Sequence, residues 1–399
     1  MTDPGRSILF LAGDVSGDFH AAALGRALLA RDPSLTLHAL GGRRLQEVVL
    51  QSGDGCFLAD TTNRSAIGLL SSLQIYFKCR KMRDRLWEFV DANRIDLAIL
   101  CDWGAFNGRV LPGFHARGIP TLYYFPPRSW QRSGPQGLGI VPYVTRVATP
   151  FEWSAERLRK AGAEAEWVGH ASMDNVPTEE DRPALRRQFG VDPKQKLVAL
   201  LPGSRRTEIR AMAARMGKAA EIVSAQVAAK FIAVTPPELA DEARKYLPDS
   251  ISIVTECAKE LLRASDAAIV KTGTGTLEAV VAGTPQVTMY DVSAIGRMEW
   301  LVLWAWRWVP FIAMPNIILQ REVVPELIGI ECRPQKIANA LMPLLTDESV
   351  RARILRDYAV ILRALGSELP TSPTERTAQI VEEMLSTADR TVELERVAV

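Results

Sequence analysis

The loop Thr272-Gly273-Thr274-Gly275-Thr276 has the composition to hold an anion. It follows a short apolar run, Ala267 to Val270, and leads into the helix-like LEAVVAG, so a strand feeds a glycine turn that opens a helix. Glycines let a backbone approach a ligand closely, threonines can cap the helix, and the N–H groups at a helix start favour negative charge. Glu278 falls in the first turn, where a carboxylate can accept hydrogen bonds from a ribose. Taken alone, the same loop is also an ordinary tight strand-to-helix connection. A second loop of this kind stands upstream, where LVALL, Leu197 to Leu201, runs into Pro202-Gly203-Ser204-Arg205-Arg206. Arg205 is a cation suited to pairing with a phosphate. If both loops face one crevice, the phosphate site comprises Gly203, Ser204, Arg205, Gly273, Thr274, Gly275 and Thr276. No Asp-x-Asp pair occurs in the sequence, so a metal-bridged diphosphate is not suggested, and neither a metal site nor a cofactor is expected.

The elements that must position these loops read as α/β throughout. Ile8 to Leu11 is a strand, Ala12 to Asp18 a polar glycine turn, and Ala21 to Arg31 a helix. Further strands are expected at Leu35 to Leu40, at Asp96 to Leu100 ending in Cys101-Asp102, and at Pro120 to Phe125. The polar, proline-bounded stretch Pro177 to Pro183 reads as a linker. Beyond it a second α/β set runs through Leu197 to Leu201, Phe231 to Val234, Ile251 to Thr255, Ala267 to Val270 and Gln286 to Tyr290. The expected organisation is an N-terminal α/β domain over 1–175, a nucleotide-binding α/β domain over 176–348, and C-terminal helices over 349–399 that pack back on the first domain. These helices are expected to be interrupted near Gly366 to Pro373.

At 399 residues, 47% of them hydrophobic, the chain can bury two cores. Lys plus Arg at 48 against Asp plus Glu at 46 leaves almost no net charge, which argues against a dedicated nucleic-acid binder. Five scattered cysteines without a CxxC pair fit a reduced, cytosolic protein better than a disulfide framework. The N-terminus reads as a first strand, not as a secretory signal. The strongest apolar run, Trp300 to Met314, carries Arg307 and Pro310 and falls short of the roughly 20 residues a spanning helix needs. Within it Trp300, Trp304, Trp306 and Trp308 cluster, three of them on one helical stripe. The stretch from Ala66 to Phe89 is apolar at Leu69, Leu70, Leu73, Tyr76 and Phe77 and then basic at Lys78, Arg80, Lys81, Arg83 and Arg85. That pattern suits a helix on an anionic membrane surface, and equally a helix that buries one face and solvates the other.

Six blocks, in order along nearly the whole chain, resemble the lipid-A-disaccharide synthase family of GT-B glycosyltransferases. They are AGDVSGD at 12–18, CDWGAFN at 101–107, VGHASMD at 168–174, LLPGSR at 200–205, TGTGTLEAVVAGTP at 272–285 and PNIILQREVVPEL at 315–327, the last trailed by CRPQKIANAL at 332–341. The resemblance implies two Rossmann-like domains with a central cleft and an inverting, metal-independent transfer of acylated glucosamine from UDP to an acylated glucosamine phosphate. It implies a cytoplasmic protein held peripherally at the inner membrane, with an apolar patch near 66–77 for acyl chains, and family members that dimerise through the C-terminal region. The partners expected are thus a UDP-sugar donor, an acylated or lipid-linked sugar phosphate acceptor, an anionic membrane surface and a second copy, with no nucleic acid. The family's catalytic carboxylate falls on Asp102, its N-domain loop serine on Ser16, and its UDP contacts on Arg205, Glu278 and Asn316.

Displacement at an anomeric carbon needs a base for the acceptor hydroxyl and positive potential for the departing diphosphate. Asp102 at a strand end can serve as that base, or simply cap the following helix. His20 is a rival base, whereas His170 reads as structural. The sequence departs from the family pattern on the acceptor side. Asp14 stands where a glutamate is usual, Gly104-Ala105 replaces Pro-Asp before Phe106-Asn107, and 126–132 reads PPRSWQR, keeping only Pro127 and Trp130 of the usual pattern. Gly329 stands near the place of a usual glutamine. Two other readings follow from these changes: a GT-B transferase with a different acceptor, and a catalytically silent UDP-sugar-binding protein.

Overall fold

The computed structural model describes residues 5–62, 69–132, 137–291 and 310–397. The chain divides into two compact units, Met1–Asp174 together with Ala364–Val399, and Asn175–Arg363. Each is built on one wholly parallel sheet.

In the first unit the strands are β1 (Ser7–Ala12), β2 (Thr36–Gly41), β3 (Phe57–Asp60), β4 (Leu97–Cys101), β5 (Thr121–Tyr124), β6 (Arg146–Thr149) and β7 (Ala165–Trp167). Their order is β3-β2-β1-β4-β5-β6-β7. Both faces are covered, so β1 and β4 are buried at every position and, Ser7 aside, read as unbroken apolar runs. One face packs under Leu24 and Leu28 of the helix Val15–Arg31, the other under Val110, Leu111 and Phe114 of the helix Gly104–Ala116. The last helix, Pro373–Val397, brings Ala378, Ile380 and Val381 into the first of these cores. Charges rim that contact: Arg376 pairs with Glu166 at 2.5 Å, and Arg146 with Glu383 at 2.6 Å. Arg31 pairs with Glu375 and Glu382.

The second unit has β8 (Lys196–Leu201), β9 (Ala229–Thr235), β10 (Ser252–Thr255), β11 (Ala267–Lys271), β12 (Gln286–Tyr290) and β13 (Glu326–Ile328). The order is β10-β9-β8-β11-β12-β13. In each sheet the first strand pairs with β4 or β11, and the chain builds outward on both sides of that pair. The crevice at the carboxyl ends of such a pair is where open α/β sheets bind ligands. Ala12 pairs with Cys101, so the loops after β1 and β4 leave the sheet side by side. Val270 pairs with Leu201, which does the same for the loops after β8 and β11.

Two expectations change here. The first helix begins at Val15, because the Asp14 carboxylate accepts the Gly17 N–H at 2.7 Å and caps it. Ser16 and Asp18 therefore stand on a helix and not in a glycine turn, and His20 belongs to the same helix. The strands β3, β6, β7 and β13 are three or four residues long and carry no strong apolar pattern, so periodicity does not mark them. The backbone of the helix Leu69–Ala92 is described, but the side chains of the expected apolar patch at 66–77 lie outside the described residues, as do the tryptophans at 300, 304, 306 and 308. Among the described residues no helix is long and apolar enough to cross a membrane.

Candidate active site

The first unit gathers carboxylates at its switch point. Asp102 follows β4 with φ 48°, and Trp103 has φ 48° as well, so two successive residues with side chains sit in the left-handed region. Such conformations cost on the order of 1–3 kcal/mol each and persist only where the surroundings over-determine them. Here the Asp102 carbonyl accepts the Tyr123 hydroxyl at 2.9 Å and the Asn107 side-chain amide at 3.0 Å. Its N–H donates to the Tyr124 carbonyl at 3.0 Å. Asn107 is fully buried and reaches the Leu11 carbonyl too, at 3.2 Å, tying the end of β1 to the bend. The Trp103 ring fills the space in front of Gly13, whose Cβ would stand 1.9 Å from the indole Cγ. Only glycine fits there.

This bend does not make Asp102 a helix cap, since the N-cap position of the following helix is Trp103 and no side chain caps it. Burial raises the Asp102 carboxyl to about 7, the Asp14 charge pushes in the same direction, and the Trp103 N–H opposes both. The aspartate thus titrates where an unperturbed histidine would. The other two aspartates of this region are spent on structure. Asp14 caps the first helix, while Asp18, 4% exposed, accepts the N–H groups of Gly42 at 2.7 Å, Leu45 at 3.1 Å and Arg44 at 3.2 Å, capping the helix Arg43–Val49. Ser16 and His20 lie one turn apart, Oγ to Nε2 at 3.4 Å. The His20 ring is buried, stacked on Phe125 at 4.7 Å and edge-on to His170 at 6.0 Å. His170 Nδ1 accepts the Ser172 N–H at 3.1 Å, a local structural bond.

Gly104, one of the departures from the family pattern, meets Pro127, a residue that keeps it. A Cβ at Gly104 would stand 2.8 Å from the Pro127 side chain, so the glycine accommodates that proline. The rest of 126–132 is pinned from the helix Glu152–Lys160: Trp153 Nε1 donates to the Ser129 carbonyl at 3.0 Å, Arg157 to the Gln131 carbonyl at 2.6 Å, and Arg132 lies 4.3 Å over the Trp153 ring.

The second unit gathers cations at its switch point. After β8 the chain passes Gly203 at φ 122°, where a Cβ would meet the Glu208 carboxylate at 2.5 Å. Glu208, in the first turn of the helix Arg206–Ser224, accepts the Ser204 N–H at 3.0 Å. Its other oxygen meets Arg205 at 3.4 Å and Lys271 at 2.7 Å. One carboxylate therefore joins the loop after β8 to the end of β11. Neither Glu208 nor Lys271 emerges from the sequence motifs. The only signal for them is a charge at the last position of an apolar strand and an acid in the first turn after a glycine loop.

In the loop after β11, Gly273 takes φ 134°. The threonines do not all cap as expected. Thr276 is buried, its hydroxyl donating to the Gly273 carbonyl at 2.7 Å and accepting the Met314 N–H at 3.3 Å. Thr272 donates to the Ile312 carbonyl at 2.6 Å, and Thr274 occupies the N-cap position without a side-chain cap. Glu278 is half-buried in the first turn of the helix Gly275–Val281. Asn316 requires a correction. It is fully buried, its amide donates to the Val324 carbonyl at 2.9 Å and to Glu326 at 2.8 Å, and its oxygen accepts the N–H groups of Val323 at 2.7 Å and Val324 at 3.0 Å. All four of its hydrogen-bonding positions are used, so its side chain shapes the turn before β13 instead of meeting a nucleotide.

Residues 8–381 match the family model described as lipid-A-disaccharide synthetase. A lipid-A-disaccharide synthase from Myxococcus xanthus is 32% identical over 393 residues, covering 96% of this chain and 99% of its own. Among solved structures, the calicheamicin glycosyltransferase superposes with TM-score 0.60 at 14% identity, over 96% of this chain and 99% of its own. The Anabaena HepE protein in complex with UDP and glucose superposes with TM-score 0.51 at 14% identity, over 96% of this chain and 100% of its own. The fold is GT-B, and the chain belongs to the lipid-A-disaccharide synthase family of glycosyltransferases.

Proposed function

We propose that this chain transfers an acylated glucosamine from UDP to an acylated glucosamine 1-phosphate with inversion. The observation that carries the mechanism is the Asp102 carboxyl, held in a strained bend and titrating near 7. A base whose pKa lies near the working pH is the effective one. Asp102 takes the proton of the acceptor hydroxyl as that oxygen forms its bond to the anomeric carbon. The bond from that carbon to the diphosphate breaks, and UDP departs with the electron pair. Arg205 and the loops at 203–205 and 273–276 hold its negative charge, with Glu278 on the ribose. We assign the base to Asp102 over His20, whose ring is packed among Phe125 and His170, and give Ser16 a place on the acceptor side.

Acylated substrates imply work at a lipid surface. Arg80, Lys81, Arg83 and Arg85 are exposed along one stretch of the helix Leu69–Ala92, which supports docking on anionic lipid at the inner membrane. A second reading keeps the donor and changes the acceptor, and it is favoured by the exposed Arg128 and Arg132 in the pinned segment. UDP release separates them, measured with the acylated pair in anionic vesicles, with the same pair in neutral vesicles, and with the non-acylated pair in solution. Fastest release from anionic vesicles is expected. Turnover of the non-acylated pair alone would remove the lipid assignment.

A further inference from the structure

We propose that Lys271 is a second phosphate-binding cation of the donor site, with Glu208 as the counter-ion that holds it in place. The inference rests on the UDP-sugar reading above and adds to it a residue outside the glycine loop. Lys271 is the last residue of β11, and its Nζ lies 2.7 Å from Glu208 and 3.8 Å from where a Cβ of Gly273 would stand. The amine therefore sits directly over the turn whose left-handed glycine exposes backbone to a ligand.

Its counter-ion is not its own. The side chain of Lys271 is 17% exposed and that of Glu208 14%, so both are largely removed from water and need partners. Yet Glu208 is shared among the Lys271 ammonium, the Arg205 guanidinium and the Ser204 N–H. Two cations therefore share this one carboxylate. Tyr290, at the end of β12, lies within the field of both Glu208 and Arg205. A group with more than one negative charge satisfies this cluster better than Glu208 alone, and a diphosphate is such a group. Lys offers a compact charge with three rotatable donors, so it can turn from a carboxylate to a phosphate oxygen without moving its stem.

A purely structural lysine would hold the two loops together and nothing more. The two roles separate by comparing ligands that share the nucleoside and differ in phosphate, titrated calorimetrically into the full-length protein. For Lys271→Met, which keeps the apolar stem, the UDP dissociation constant is expected to rise at least tenfold while that for uridine stays within twofold. Lys271→Arg is expected to recover most of the loss. Glu208→Gln keeps an acceptor for the Ser204 N–H and removes the competing charge, so it is expected to tighten UDP by several-fold. Unchanged UDP affinity in Lys271→Met overturns the proposal, as does an equal loss for UDP and uridine, which would mark a loop support. Weaker UDP binding in Glu208→Gln overturns the counter-ion assignment. A wild-type protein that ignores UDP sinks the donor reading itself, and Lys271's part with it; a wild type that binds UDP while Lys271→Met binds it equally sinks only the latter.

Discussion

At the switch of the first sheet the chain sets Asp14 and Asp102 within each other's field. At that of the second it sets Arg205 and Lys271 around the single carboxylate of Glu208. The strand arrangement is the same in both, with the first strand paired to the one across the switch and a glycine-containing loop after each first strand. What differs is the sign of the charge and how it is settled. In the first unit the acid is buried beside a like charge and responds by holding its proton up to about pH 7. In the second, opposite charges pair, Glu208 with both Arg205 and Lys271. The topology therefore supplies a place, and the side chains supply a base in one unit and an anion holder in the other.

The most damaging way to break this contrast is to neutralise the acid. Asp102→Asn is expected to reduce turnover about 10²- to 10⁴-fold while leaving UDP affinity within twofold. A comparable loss of UDP affinity would contradict the division of roles. The same variant has a stability signature whose sign is fixed by linkage. Unfolded, the carboxyl titrates near ~3.9; folded, near 7, so between these values the native state binds the extra proton and wild-type stability falls as pH rises. Asp102→Asn is therefore expected to match wild type at pH 4 and to exceed it at pH 8, by up to about 4 kcal/mol, in denaturant titrations. A smaller effect is expected on the other side. Arg205→Ala should weaken UDP binding about tenfold to a hundredfold by calorimetry, with the pH dependence of turnover unmoved. The smallest effect sharpens the comparison. Asp14→Asn preserves a good helix cap but removes the like charge, so the acid limb of the pH–rate profile, expected near 7, should shift downward. A limb that does not move would mean burial alone sets the Asp102 proton.

Much of this is legible from residue order. Parallel strands covered on both faces need near-continuous apolar runs, so ILFLA and LVALL announce themselves, and so do the polar loops that follow them. The start of the first helix is not legible, because Gly17 inside it looks like a turn until Asp14 is seen to accept its N–H. The short outer strands depend on neighbours already in place. Lys271 and Glu208 are far apart in sequence and meet only because β8 and β11 are adjacent. The pKa of Asp102 is set by burial and by a residue from a different strand end, neither of which a motif records. Asn316 is the reverse case, since its motif is plain in the sequence, but the hydrogen bonds give its side chain a supporting task.

The return of the helix Pro373–Val397 to the first unit makes the second unit an insertion within the first. During synthesis the apolar face of the leading sheet that Ile380 and Val381 cover stays open until the helix Pro373–Val397 has been made. The Asn175–Arg363 unit, continuous in sequence, is free to mature in the meantime. The half that carries the acid is in this sense finished after the half it encloses in sequence.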